Sequence, residues 1–199
     1  LEQAIRSCEA TLQVYSQELD PYYWANSQVI LGNAYADRVK GVREENLKAA
    51  IDCYHKALQV NTREALPENW AMVINDLGVA YEKLGETEKA IAHFKLALEI
   101  YTPAAFPSDC LRVGRSLGNI AFTTEQWDKA IEANSQAIEA VETSRSWIVS
   151  EQRRQEILES SFLVYANTIQ ACVNNKQLDK AIEYVERSRS KRLVDLMAS

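Results

Sequence analysis

Few residues of this chain have the chemistry of a nucleophile or a soft metal ligand: 4 cysteines and 2 histidines occur in 199 residues. Cys53 and His55 form the closest pair, but residues two apart on a helix do not face each other. Thiolate catalysis needs a base within hydrogen-bond reach of the sulfur. We therefore predict that the chain has no catalytic residue and is not an enzyme.

The same residues do not form a metal or cofactor site in the sequence. Cys8, Cys53, Cys110 and Cys172 lie far apart without a C-x-x-C pair, and His93 has no cysteine or carboxylate three or four residues away. No glycine-rich phosphate loop occurs. We predict no metal and no cofactor. The widely spaced cysteines favour a reduced, cytoplasmic compartment.

Composition narrows the class of protein further. The chain is 47% hydrophobic and 25% charged, with a formal net charge of −6. An acidic balance argues against nucleic acid as a partner. No apolar run approaches the roughly 18 residues that a membrane-spanning helix needs, so no membrane partner is expected. With only 6 glycines and 4 prolines, long helices joined by short loops are favoured over a β fold.

The sequence repeats itself at two fixed offsets. A shift of 40 residues superimposes six positions: Leu58, Thr62, Ala65, Pro67, Leu77 and Gly78 fall on Leu98, Thr102, Ala105, Pro107, Leu117 and Gly118. A shift of 46 does the same for the front of the chain: Leu12, Pro21, Trp24, Ala25, Leu31, Gly32 and Tyr35 fall on Leu58, Pro67, Trp70, Ala71, Leu77, Gly78 and Tyr81. The extra six residues lie in the segment 37–49, between two helices of one repeat.

Each repeat carries one short pattern on two predicted helices. In the most regular unit, Leu77-Gly78-x-x-Tyr81 is followed by Ala90-x-x-x-Phe94. This resembles the tetratricopeptide repeat (TPR), in which a Leu-Gly-x-x-Tyr helix packs on an Ala-x-x-x-Phe helix. The resemblance implies an all-α fold, a TPR α-solenoid whose antiparallel helical hairpins form a right-handed superhelix.

We predict a single TPR array over residues 1–199. Its segments are the second helix of a truncated repeat at 1–17, repeats at 22–62, 68–104 and 108–144, and a degenerate C-terminal repeat and connector at 148–197. The glycine of each Leu-Gly pair should let the paired helix approach closely, and Tyr54 and Phe94 should fill the space between hairpins. Asp20 and Ser108 are placed to cap the helices that follow them.

Three segments support a more specific resemblance. Residues 35–47 and 62–72 resemble the repeats that precede CHAT domains, which are caspase-like modules, in cyanobacterial proteins. Residues 181–197 resemble the connector into such a domain. The resemblance implies a recruiting or regulatory arm of a larger CHAT-type protein, whose downstream domain would be a partner. Neither His55 nor His93 matches the His–Cys dyad of that family, so no catalytic role is carried over.

The tetratricopeptide resemblance also implies where a partner binds. The first helix of each hairpin lines the concave groove, and its outward polar residues are the candidates. Asparagine and glutamine amides can hydrogen-bond a peptide main chain, and arginine can hold a carboxylate with two bonds. The candidate peptide-binding residues are Asn26, Asn33, Asn75, Arg112, Arg115, Asn119, Asn167 and Gln170. Val29 and Asp76 depart from the carboxylate clamp of chaperone-binding TPR domains, which has lysine and asparagine there.

Two functions of different class remain open from the sequence. In the first, the array is a scaffold that binds a protein or peptide segment in its groove. In the second, it is a structural spacer or oligomerisation arm with no peptide ligand of its own, and it associates with itself. The basic run 187–192 fits an acidic partner or a following domain, and it also fits a solvated face near a helix C-terminus.

Overall fold

The computed structural model describes the backbone of residues 1–145 and 151–198 and the side chains of 1–143 and 161–190. The regular secondary structure of these described residues is α-helical, and turns or loops join the helices. Nine helices follow one another: α1 Glu2–Val14, α2 Pro21–Ala36, α3 Arg43–Ala57, α4 Pro67–Lys83, α5 Thr87–Leu98, α6 Pro107–Thr123, α7 Trp127–Arg145, α8 Glu151–Asn174 and α9 Leu178–Ala198. The first helices α2, α4 and α6 begin one residue before the predicted repeat starts at 22, 68 and 108. The predicted start of α8 at Ile148 lies outside the described residues.

The chain divides into two compact units, Leu1–Ile100 and Tyr101–Ser199. In the first unit, α2 pairs with α3 and α4 pairs with α5, while α1 packs on α2. In the second unit, α6 pairs with α7 and α8 pairs with α9. The all-α arrangement of helical hairpins is therefore confirmed, and one continuous array stays a prediction. None of the described helices is both long and apolar enough to cross a membrane.

A turn that contains a serine or threonine hydroxyl precedes the first helix in each of the first three hairpins. In all three turns the hydroxyl oxygen accepts a hydrogen bond of 3.2 Å from the backbone N–H three residues later. A proline then opens the helix, where its missing N–H is not needed. The hydroxyls belong to Ser16, Thr62 and Thr102, and the prolines are Pro21, Pro67 and Pro107.

Only one of the two predicted capping residues acts as a cap. The Asp20 carboxylate accepts a hydrogen bond from the backbone N–H of Tyr23 at 3.0 Å. The prediction for Ser108 was wrong, because α6 already begins at Pro107 and Phe106 occupies the capping position without a side-chain bond. The proline, rather than the serine, sets the start of that helix.

The glycine of each Leu-Gly pair makes room for a side chain on the second helix of its own hairpin. A Cβ atom at Gly32 would lie 2.6 Å from Cε1 of Tyr54, and one at Gly78 would lie 2.8 Å from Cδ1 of Phe94. Carbon atoms in contact stay about 3.5–4.0 Å apart, so any larger residue would displace the ring. The two rings thus pack within hairpins, whereas the sequence had suggested the space between them.

The alanine four residues before each ring has no exposed surface. Ala50 and Ala90 are completely buried. We expect Ala90→Leu to lower the free energy of unfolding by about 1–3 kcal/mol, because the added atoms have no space. Urea unfolding measures this loss. Ala92→Leu on the exposed face of α5 is the matched control, with a change of about 0.5 kcal/mol or less. Equal effects of the two variants would contradict the assigned register.

Candidate functional site

The cysteines are part of the core rather than of a reactive site. All four are free and buried. Burial raises the pKa of Cys53 to about 11 and that of Cys110 to about 12, so their thiols stay protonated at neutral pH. The thiolate is the reactive form. His55 lies exposed on the other side of α3. Among the described residues, no three His, Cys, Asp or Glu side chains cluster as metal ligands.

The first unit places Asn26 and Asn33 on the exposed surface of α2. The side-chain oxygen Oδ1 of Asn33 accepts a hydrogen bond of 2.7 Å from the Tyr54 hydroxyl. That bond reaches from the second helix of the hairpin past Gly32 to the surface of the first helix. It fixes the orientation of the Asn33 amide, which leaves the NH₂ group as the donor on this surface.

Asn75 and the Lys83–Asp37 pair of the first unit are engaged in internal contacts. Asn75 is only 2% exposed and donates to Asp76 at 3.1 Å, so its amide is closed to a ligand in this structure. Lys83 forms an ion pair of 3.2 Å with Asp37, which ties α4 to α2. Burial, then the carboxylates of Asp76 and Asp37, raise the pKa of Tyr54.

The second unit brings five of the predicted residues onto the neighbouring helices α6 and α8, a surface we call the α6–α8 face. Asn167 donates a hydrogen bond of 3.1 Å to Asn119, which bridges the two helices. Gln170 donates to Asn174 at 2.9 Å, one turn further along α8. The arginines are exposed one and two turns before Asn119. The face consists of Arg112, Arg115, Asn119, Asn167 and Gln170.

The two arginines of the α6–α8 face differ in their contacts. Arg112 forms an ion pair of 2.9 Å with Asp109 on its own helix. Arg115 is exposed and has no ion pair within the part of the chain that the structure describes. Leu163 of α8, one turn before Asn167, is an apolar residue that is 61% exposed. The face therefore combines an exposed guanidinium with an amide pair, and Leu163 adds an exposed apolar group beside it.

One polar residue beneath this face was missed by the sequence analysis. Asn134 is 1% exposed, and neither its Oδ1 nor its Nδ2 has a hydrogen-bond partner among the described residues. It occupies the position of Tyr54 and Phe94 in the third hairpin, and a Cβ at Gly118 would lie 1.9 Å from its Oδ1. Its position four residues after Ala130, which the aromatic ring occupies in the first two hairpins, was the sequence signal that could have identified it.

The missing partners of Asn134 have a measurable consequence. Burying an amide without hydrogen bonds costs about 1–3 kcal/mol. We therefore expect Asn134→Leu, which has a similar size, to raise the free energy of unfolding by about that amount in urea titrations. Asn75→Leu is the matched control, because it removes a buried amide that has a partner, and it should destabilise the chain. Destabilisation by both variants would contradict this expectation.

The basic run 187–192 lies in the middle of α9, which ends at Ala198, and is partly used in internal contacts. Arg187 donates to Glu142 at 3.1 Å, and the Tyr165 hydroxyl donates to the other oxygen of the same carboxylate at 2.9 Å. Arg187 also lies 3.8 Å from Glu183. These contacts join α9 to α7 and α8, while Arg189 remains exposed. The last two basic residues, Lys191 and Arg192, lie outside the described side chains.

Helical hairpins with this glycine, alanine and aromatic pattern define a TPR-like helical-repeat protein, and two solved structures show the same fold. A Podosopora anserina protein with nearly identical TPR-like repeats, described as a kinesin light chain, matches with a TM-score of 0.63 at 18% identity, over 95% of this chain and 85% of that one. BtubC (BKLC) from P. vanneervenii matches with a TM-score of 0.52 at 15% identity, over 97% and 91% of the two chains.

The family model for SNAP, the soluble NSF attachment protein, matches residues 6–151. The chain belongs to this family, which the sequence analysis had not named. No curated protein matches the chain. The TPR-like part of the predicted resemblance is confirmed. TPR-like repeat folds are typically scaffolds for protein interactions, and scaffold families of this kind are generally not enzymes.

Proposed function

We propose that this chain is a protein-interaction scaffold that binds an extended segment of a partner protein on the α6–α8 face. The observation that carries the proposal is Arg115, an exposed guanidinium with no ion pair to any described residue, one turn before the Asn119–Asn167 amide pair. A fixed amide pair can donate to and accept from a peptide main chain without demanding particular side chains. The guanidinium adds a charged anchor at one end of the segment.

Charge and polarity of the α6–α8 face support a segment with an acidic group. Arg112 is paired with Asp109, so Arg115 supplies the uncompensated positive charge. Charge-assisted bonds from a guanidinium to a carboxylate are stronger than neutral hydrogen bonds. Leu163, 61% exposed, offers an apolar contact beside the polar ones. We therefore propose that the bound segment has a carboxylate for Arg115 and an apolar side chain for Leu163.

The surface of the first unit contributes less to binding in this proposal. Asn26 and Asn33 are exposed and can donate to a main chain, whereas Asn75 is buried. Asp37, 66% exposed at its side chain, is paired with Lys83. A surface of this kind favours a neutral or basic part of a partner. Asn26 and Asn33 stay predicted contacts.

Reversal of charge on the α6–α8 face tests the proposal. Peptides selected by the whole chain from a phage-displayed random library serve as the probe, and isothermal titration calorimetry measures their affinity. We expect Arg112→Glu combined with Arg115→Glu to weaken binding of a selected acidic peptide at least about 30-fold, because an attractive contact becomes repulsive. Circular dichroism should show unchanged helix content, since both side chains are exposed.

The control carries the same change in net charge elsewhere. Arg6→Glu combined with Arg189→Glu alters two exposed arginines of α1 and α9 and should leave peptide affinity within about two-fold. A library that yields no binding peptide would favour the alternative function, a spacer or oligomerisation arm without a peptide ligand. Equal loss in both double variants would point to non-specific charge attraction.

We also propose, from sequence resemblance alone, that this scaffold is the recruiting or regulatory arm of a cytoplasmic CHAT-type protein. Residues 181–197 resemble the connector into such a domain, and the four free cysteines fit a reducing compartment. The expected outcome is that the complete coding sequence carries a caspase-like domain, with its His and Cys dyad, after α9. A complete reading frame without that domain would rule out this arm role and leave the scaffold proposal intact.

A further inference from the structure

The α8–α9 hairpin has large apolar side chains open to solvent on both of its helices. Phe162 and Val173 of α8 are 64% and 44% exposed, and Leu178 and Ile182 of α9 are 60% and 59% exposed. Together they expose on the order of 400 Å² of side-chain surface, which is within the range of functional patches on soluble proteins. We call these four residues the open α8–α9 face.

The backbone shows that α8–α9 repeats α6–α7 at an offset of 51 residues. Both hairpin turns contain a residue with positive φ, Glu125 at 56° and Lys176 at 60°. In both, the next residue donates its N–H to a carbonyl five residues back, at 2.8 Å in each case. Ala130 and Ala181, both buried, follow at the same distance from the turns.

When α8–α9 is aligned on α6–α7 at this offset, each residue of the open face aligns with a residue of the interface between these two hairpins. The four counterparts belong to, or pack against, the core cluster that joins α6–α7 to α8–α9. Ile131 is 6% exposed in that interface, whereas its counterpart Ile182 is 59% exposed. The counterparts of Phe162, Val173, Leu178 and Ile182 are Leu111, Phe122, Trp127 and Ile131.

A polar contact of the same interface is repeated as well. The Asp128 carboxylate accepts hydrogen bonds from Asn175 at 2.6 Å and from Gln177 at 3.1 Å, both in the turn of the next hairpin. The offset of 51 places Asp179 at the position of Asp128, and Asp179 is exposed. The open face therefore carries both the apolar surface and the polar acceptor of an existing hairpin interface.

We infer that the open α8–α9 face binds a further helical hairpin, stacked in the register in which α8–α9 stacks on α6–α7. The chemistry of this partner follows from the side that α8–α9 itself presents to α6–α7. There the small residues Ala171 and Ala181 and the ring of Tyr184 lie in the shared core. The partner hairpin thus presents small side chains and one aromatic ring, with amide donors in its turn for Asp179.

The continuity of this interface favours a hairpin over a second copy of the same chain. The α1 helix is the part of a second copy that could imitate a stacked repeat. It brings one helix instead of two, and the exposed residues Ala4 and Ser7 stand where Ala181 and Tyr184 stand in α9. A single helix would cover only part of a face that extends over both α8 and α9. This binding surface is separate from the α6–α8 face and does not depend on it.

A tandem variant of the chain tests the inference. A copy of residues 146–196 is inserted after Leu196, which keeps the offset of 51 residues. The copied α8–α9 hairpin can then pack its Ala171, Ala181 and Tyr184 side against the open face of the first copy. If the copy stacks, repeat interfaces add stability. We expect one cooperative unfolding transition, a melting temperature raised by on the order of 5 °C, and a urea m-value larger by roughly a quarter.

The matched control is Phe162→Asp combined with Ile182→Asp. In the 199-residue chain this change should leave the melting temperature within about 1 °C, because both side chains are exposed. In the first copy of the tandem variant it should abolish the gain. A tandem chain with two separate transitions or an unchanged melting temperature would overturn the inference. So would a concentration-dependent dimer of the 199-residue chain, in sedimentation velocity, that the two substitutions dissociate.

Discussion

The fold depends on one contact that recurs in the first three hairpins: a side chain of the second helix packs on a glycine of the first. Tyr54 on Gly32 and Phe94 on Gly78 leave no room for a Cβ. The absence of a side chain at these glycines is what lets two helices come close enough to bury their alanines completely. Stacking of hairpins, and therefore each surface discussed above, follows from that approach.

The same contact links the core to the outer surface of the first helix. The residue after each glycine matches the polarity of the buried partner: Asn33 accepts from Tyr54, while Val79 follows Gly78 where the partner is Phe94. In the third hairpin, Asn119 follows Gly118 and the partner is Asn134. A tyrosine hydroxyl reaches the surface, but the shorter asparagine does not. In the first hairpin, the exposed Asn33 amide is thus oriented by the side chain that the second helix buries.

The sequence predicted the helices well because period and spacing are local properties. The offsets of 40 and 46 residues located the hairpins, and the Leu-Gly and Ala positions located the crossings. Three features were harder to predict. The burial of Asn75 and the pairing of Arg112 with Asp109 depend on neighbours that a periodic pattern does not specify. Asn134 was missed because an asparagine interrupts the aromatic pattern that was being matched.

The candidate site was predicted at the level of helices rather than of contacts. Five candidates lie on α6 and α8 because these are the first helices of their hairpins and contact each other in the second unit. The Asn119–Asn167 bond could not be predicted, since it depends on the relative height of two parallel helices. The SNAP family match over residues 6–151 and the TPR-like pattern describe one helical-repeat architecture over largely the same residues.

The buried Asn134 amide also bears on the motions of the second unit. Local opening of a protein starts where the fewest favourable contacts are lost. When α7 separates from α6, the amide regains hydrogen bonds to water, which offsets part of the cost of exposing Ala130 and Ile138. The corresponding opening of α4–α5 exposes Phe94 with no such compensation. Amide hydrogen exchange of α6 and α7 would measure how far this compensation lowers the cost of opening the α6–α7 hairpin.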